Sequence, residues 1–192
     1  YCAMKQQGAQ ERILHTASEL FYQQGYLATG INQIIEEAGI AKASLYQHFP
    51  SKEALLNEYL LKTRVSNHED RMQYISRLTP GKEKLLGLFR FRIQHMKDNQ
   101  FKGCAFVRIA YELPALNEEG REQIRIHTQT LKSFIASQLQ VIKDPFPEPA
   151  LEEMVEMVLN VYEGAGIQAY ILRSVKPVED ALKVVQRLLD TL

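Results

Sequence analysis

The chain has 192 residues, 45% of them hydrophobic and 24% charged, and its 23 basic side chains are balanced by 23 acidic ones. That mix describes a globular protein of one larger domain or two small ones, and zero net charge argues against a general nucleic-acid coat while leaving room for a small local face. No apolar run is long enough for a bilayer, no signal peptide precedes the first helix, and Cys2 and Cys104 form neither a disulfide framework nor a metal cluster, so no membrane partner and a cytoplasmic compartment are expected.

In chain order the sequence reads as helix after helix, with no convincing period-2 strand. Tyr1 to Ala3, ahead of Met4, read as an addition to the natural start. Glu11 to Gln24 sets Ile13, Leu14, Ala17, Leu20 and Phe21 on one face and ends at Gly25. Ile31 to Ala38 is a short helix stopped by Gly39, and Ile40 leads through a tight turn into Lys42 to Phe49. Pro50 breaks the chain, Ser51 caps the next helix, and Leu55, Leu56, Tyr59 and Leu60 are its apolar positions. Past Lys62 this helix turns polar, from Arg64 to Arg71, and reads as an exposed connector toward Leu78.

Thr79-Pro80-Gly81 marks a boundary. Helices are then expected over Lys82 to Asp98, Cys104 to Leu113 (ended by Pro114) and Asn117 to Ile142, with "NQFKG" and "KDPFPEP" as loops. Pro149 opens a helix to about Ser174, and Pro177 opens the last. The expected architecture is all-α: about nine helices, with a three-helix domain over residues 8–60, including the start of the connector helix, and a larger helical domain over 61–192.

Helix, tight glycine turn and short helix is the helix-turn-helix pattern, a weak signal alone. The detail is more specific. Phe21 to Tyr26 is an aromatic-x-x-x-Gly-Tyr turn, and Ala38 to Glu53 reads "AGIAKASLYQHFPSKE". Over about 45 residues, Ile13 to Tyr59, the chain resembles the TetR/AcrR family of transcriptional regulators.

The chemistry of the short helix agrees. Leu45 and Phe49, four residues apart, anchor one face and turn Lys42, Ala43, Ser44 and Gln47 toward base edges. Lysine pairs with guanine, glutamine with adenine, and an alanine methyl meets the thymine methyl. Tyr46, His48 and Lys52 are placed to grip phosphates, and the resemblance implies the same of these three and of Thr29. Mainly packing for Tyr46 and plain solvation for His48 stay open. Where the family carries two threonines this chain has Thr29-Gly30, so one capping hydroxyl and one backbone contact are missing.

For the second domain the resemblance implies a ligand site and a homodimer built from the last two helices. Val178, Ala181, Leu182, Val185, Leu188, Leu189 and Leu192 make one stripe of the final helix. The helix before it is apolar on more than one side and carries Gly164, Ala165, Gly166 and Ala169, which admit a second backbone. Gly164, Gly166, Ala169, Leu182, Val185 and Leu189 are the expected dimer interface, a wholly internal core being the alternative. "GAG" follows no strand and is no nucleotide loop. Arg92 and His127 fall on inward stripes, where charges need partners. Structural pairing, with Glu112 or Glu163 for Arg92, is one reading. The other is that they are the polar fixtures of an effector pocket lined by Phe89, Met96, Phe106, Tyr111, Phe134 and Tyr162. Cys104, behind Lys102-Gly103 at a helix start, is either a core residue of that pocket or a sensor thiol with lowered pKa, as the resemblance to a subset of the family implies.

These readings converge on a homodimeric regulator, a repressor released from a (pseudo)palindromic double-stranded DNA operator by a small molecule. A thiol-sensing regulator of the same fold and a helical interaction module are the alternatives. No HExxH, GxSxG or phosphate-binding glycine loop points to catalysis, His15, His68 and His95 stand singly, and no cofactor or metal is expected.

Overall fold

The computed structural model describes residues 8–113, 115–143, 146 and 149–192. The segment ahead of Met4, Cys2, the Pro114 break and most of the "KDPFPEP" loop lie outside the described residues. Among the described residues there are nine helices and no strand: α1 (Ala9–Gln24), α2 (Ile31–Ala38), α3 (Lys42–His48), α4 (Lys52–Ile75), α5 (Lys82–Asp98), α6 (Ala105–Glu112), α7 (Glu118–Ile142), α8 (Ala150–Leu172) and α9 (Lys176–Leu189). None is long and apolar enough to cross a membrane.

The residues gather into two compact units. The first combines residues up to Val65 with Ala105–Ile124, and the second combines Ser66–Cys104 with Arg125–Leu192. The first unit therefore includes α6 and the start of α7, which the sequence pattern alone does not place there.

In the first unit α1, α2 and α3 pack pairwise around Ile13, Ala17, Phe21, Ile34, Ala38, Leu45 and Phe49. The turn between α2 and α3 is a Schellman cap. Gly39 is left-handed at φ 62°, its N–H donates to the Glu36 carbonyl, and the Ile40 N–H reaches the Ile35 carbonyl at 3.2 Å. A side chain at φ 62° would be strained, which is why glycine sits at the corner that sets the two helices apart. Phe49 leaves α3 in an extended conformation, one residue earlier than the pattern suggests. Ser51 caps α4 as expected, its Oγ accepting the Ala54 N–H at 3.0 Å.

In the second unit α9 packs on both α5 and α8. The shared core includes Leu85, Leu88, Phe89, Leu131, Ile135, Val158, Tyr162, Val178 and Val185. Gly81 ends the expected boundary at φ 84° and donates its N–H to Gln138 Oε1 at 2.9 Å. Pro177 stands in the first turn of α9, where its missing N–H costs nothing.

Candidate functional site

On α3 the inward residues are Leu45, fully buried, and Phe49 just beyond. The opposite face presents Lys42, Ala43, Tyr46, Gln47 and His48 to solvent, with Ser44 half-buried at its edge. The helix carries no carboxylate, and all of its outward side chains but Ala43 can donate or accept hydrogen bonds. Four of the four residues expected to read bases and two of the four expected at phosphates thus lie on one short helix.

Two of the residues expected at phosphates are already engaged within the protein. Thr29 is 1% exposed. Its hydroxyl donates to the Gly25 carbonyl at 2.7 Å and accepts from Gln24 Nε2 at 3.3 Å, so it ties the turn together and cannot meet a phosphate. Lys52 is half-buried and its Nζ donates to the Tyr26 carbonyl at 2.6 Å while lying 4.0 Å from the centre of the Tyr26 ring. Burial pulls its pKa down, with Glu112 acting against this. Lysine 52 braces the α1–α2 turn where a phosphate contact was expected.

That turn is held from a distant part of the chain as well. The Glu112 carboxylate accepts the Leu27 N–H at 3.1 Å, and Arg108 Nη1 donates to the Tyr22 carbonyl at 2.7 Å. A Cβ on Gly25 would meet Glu112 Oε1 at 2.6 Å. These bonds satisfy carbonyl and amide groups that the end of α1 leaves open. Nothing in the local sequence signals them, because the partners are more than 80 residues away.

In the second unit the structure brings Phe89, Arg92, Met96, His127, Phe134 and Tyr162 to the interior or its margin. Arg92 pairs with Glu163, one of the two partners expected: Nη2 to Oε1 is 2.9 Å, Nη1 donates to the Tyr162 carbonyl at 2.9 Å, and the guanidinium lies 3.5 Å above the Tyr162 ring. Phe89 meets that ring edge-on, with centroids 5.3 Å apart. Burial alone would lower the Arg92 pKa; Glu163, with help from Tyr162 and Cys104, reverses this and raises it. Burial would raise the Glu163 carboxyl; the Arg92 charge and hydrogen bond, then His127 and Arg71, hold it below the usual range. Glu112, the alternative partner, belongs to the first unit, as do Phe106 and Tyr111. Tyr111 is 77% exposed and walls no enclosed pocket, which corrects its expected role. Cys104 is half-buried just before α6, and its field acts on both Arg92 and Arg71.

The expected dimer residues separate into two sets. Ala169, Val185 and Leu189 are buried in their own unit, Leu182 is partly buried against the same core, and a Cβ on Gly166 would strike Arg92 Nη1 at 2.1 Å. Those residues serve the internal core and are not the outer face. Gly164 alone of the set is exposed with nothing near it. Around it the outer surface carries Met157, Ile171 and Leu172 on α8, and α9 exposes Val184. The spacing 157, 164, 171 could have found this face: seven-residue steps keep one side of a helix.

The described residues contain no cluster of His, Cys, Asp or Glu able to hold a metal ion. Residues 13–59 match the family model for bacterial regulatory proteins of the tetR family. The HTH-type transcriptional regulator YxaF of Bacillus subtilis is 30% identical over 158 residues, spanning 81% of this chain and 82% of that one. The reduced form of Escherichia coli NemR, an HTH-type transcriptional repressor, is similar in structure, with a TM-score of 0.77 at 23% identity over 93% of this chain and 96% of that one. A transcriptional regulator from Saccharomonospora viridis in complex with choline gives 0.74 at 22% identity over 91% and 93%.

Proposed function

This chain belongs to the TetR family of bacterial regulatory proteins and is a DNA-binding transcriptional regulator, and from that premise we propose that it is a dimeric repressor whose α3 reads an operator and whose second unit binds a small effector. The observation that carries the reading is the geometry of α3. Leu45 and Phe49 fix it on the bundle, and Lys42, Ala43, Ser44 and Gln47 are left to face base edges in the major groove while Tyr46 and His48 reach phosphates. Repression is supported by the likeness to NemR, which is named a repressor.

A single seven-residue helix covers too few base pairs for a specific site. Two copies related by a two-fold axis would set their reading helices about 34–36 Å apart, one turn of B-DNA. The face of Met157, Gly164, Ile171 and Leu172, with Val184, supports α8 and α9 as the dimer surface, since an apolar face of this kind calls for a partner. An effector acts through its different affinity for the DNA-fitting and non-fitting arrangements. The choline complex shows that the fold of that relative holds a small ligand.

The test is selection of bound duplexes from a random pool. Wild type should enrich a two-fold symmetric sequence. Gln47→Ala should lose preference at one symmetric position, about 1–3 kcal/mol, and keep the rest; an unchanged profile would refute the assignment of the reading face. A second reading is a thiol switch at Cys104, which stands half-buried and is electrostatically coupled to Arg71 and Arg92. Oxidant-dependent loss of operator binding that disappears in Cys104→Ser would support it.

A further inference from the structure

Arg71 stands in the stretch of α4 that reads as exposed connector, yet it is 4% exposed. Among the described residues its one hydrogen-bonding neighbour is His68, a turn earlier, with Nη2 3.3 Å from the imidazole Nδ1. Its Nε is buried with no partner. Asp70, beside it in sequence, is exposed and acts on His95. The groups that act on Arg71 through space are Tyr162, Arg92, Glu163 and Cys104.

Glu163 is the one carboxylate in that set, and its close bonds go to Arg92. Two guanidinium groups, which stay charged at any ordinary pH, therefore share one carboxylate. Among the described residues, the fixed charges of this cluster, Arg71 and Arg92 against Glu163, leave one positive charge in excess. Burial, the largest influence on Arg71, and the charge of Arg92 both disfavour its charged form, while Tyr162, Glu163 and Cys104 oppose them. Burying an ion costs several kcal/mol unless it is paired, and one bond to an imidazole does not pair it. Guanidinium presents a planar fork that a carboxylate meets with two parallel hydrogen bonds. Nearby, the Tyr162 ring with Phe89 on its edge and Arg92 over its face is part of the buried apolar core.

We propose that the effector of this regulator is a small organic acid, a monocarboxylate with an apolar body, whose carboxylate binds Arg71. This rests on the reading of the second unit as the effector domain. A monoanion is favoured over a phosphate dianion because the excess charge is single: Arg92 is already engaged by Glu163. The acid would supply the missing counter-charge, and its body would lie along the aromatic pair.

The probes are benzoate and hexanoate, each matched with its neutral amide, benzamide and hexanamide. Binding to the full chain is followed by calorimetry and operator release by fluorescence anisotropy. At least one acid should bind about tenfold or more tightly than its amide, the effect of one charge-assisted pair, and should release the operator. Arg71→Met should abolish the preference for the acid, and Arg71→Lys should keep part of it; circular dichroism and operator binding without ligand verify that both variants fold. Equal binding of acid and amide, a preference that survives Arg71→Met, or no binding of either acid would overturn the assignment. Amides that bind and release the operator would leave the effector reading intact while ending the acid assignment. An operator complex that no small-molecule extract of the host cell releases would end the effector reading itself.

Discussion

Replacing Glu163 by glutamine removes one charge and almost no volume, so it isolates the electrostatics of the buried pair. Arg92 and Glu163 side chains are 12% and 27% exposed and meet at 2.9 Å. Breaking a buried ion pair from one side costs about 3–5 kcal/mol. The partial exposure of Glu163 reduces that. The glutamine oxygen can still accept from Nη2, and Arg92 keeps the Tyr162 carbonyl and ring. What remains lost is the charge assistance, about 1.5–3 kcal/mol. For a chain of this length about 2 kcal/mol lowers the melting temperature by about 4–8 °C. The pH dependence gives a second readout. The folded carboxyl lies below its ordinary value, so its contribution is complete above about pH 4.5 and is lost as pH falls through the lower, folded value. Paired thermal and urea melts of wild type and Glu163→Gln from pH 7 to pH 3 should therefore converge at the acid end. Equal stability at pH 7, or a gap that does not change with pH, would refute the account of the pair.

Leu45→Ala empties a fully buried site under the reading helix and should cost about 2–5 kcal/mol; operator binding should vanish, and hydrogen exchange should rise over residues 9–49 but not over 150–189. Gly25 sits at φ 97°, ψ 161°, which side chains resist, and a Cβ there crowds Glu112. Gly25→Ala should cost about 1–3 kcal/mol in urea unfolding, and a neutral result would show that the α6 contacts yield freely. Ile171, 61% exposed on the outer face of α8, should be replaceable by lysine with little loss of fold. Sedimentation of Ile171→Lys should show monomers and its operator affinity should fall, because one half-site loses the avidity of two; an unaltered dimer would place the interface elsewhere.

The helices were legible because their signals are local: apolar residues at three- and four-residue spacing, Gly39 at a left-handed corner, Ser51 and Pro177 at helix starts. The reading face of α3 was legible for the same reason, since anchoring Leu45 and Phe49 leaves a single outward direction. What escaped depends on long-range packing. Arg71 follows Leu60 by eleven residues and precedes Ile75 by four, so it lies on the buried stripe, yet the charges around it read as a solvated connector. Thr29 and Lys52 have phosphate-binding chemistry, and only the folded turn shows that Gly25 and Tyr26 have already engaged them. Most residues expected at the dimer surface turn inward because α8 is apolar on two sides, and periodicity alone does not say which side packs within the unit.

The first unit is sewn from two stretches of chain, with the 39 residues from 66 to 104 between them. Four side-chain bonds cross the seam: Arg108 to Tyr22, Leu27 to Glu112, Asn57 to Glu119 at 2.6 Å and Arg64 to Gln123 at 2.9 Å. A DNA-reading head cut out at residue 65 would lose the cover of α6 and α7 and expose the carbonyl and amide groups they satisfy. The head is not a transplantable cassette. A chimera that moves this operator preference to another effector domain should carry residues 105–124 along with 8–65, grafted at three junctions and not at one.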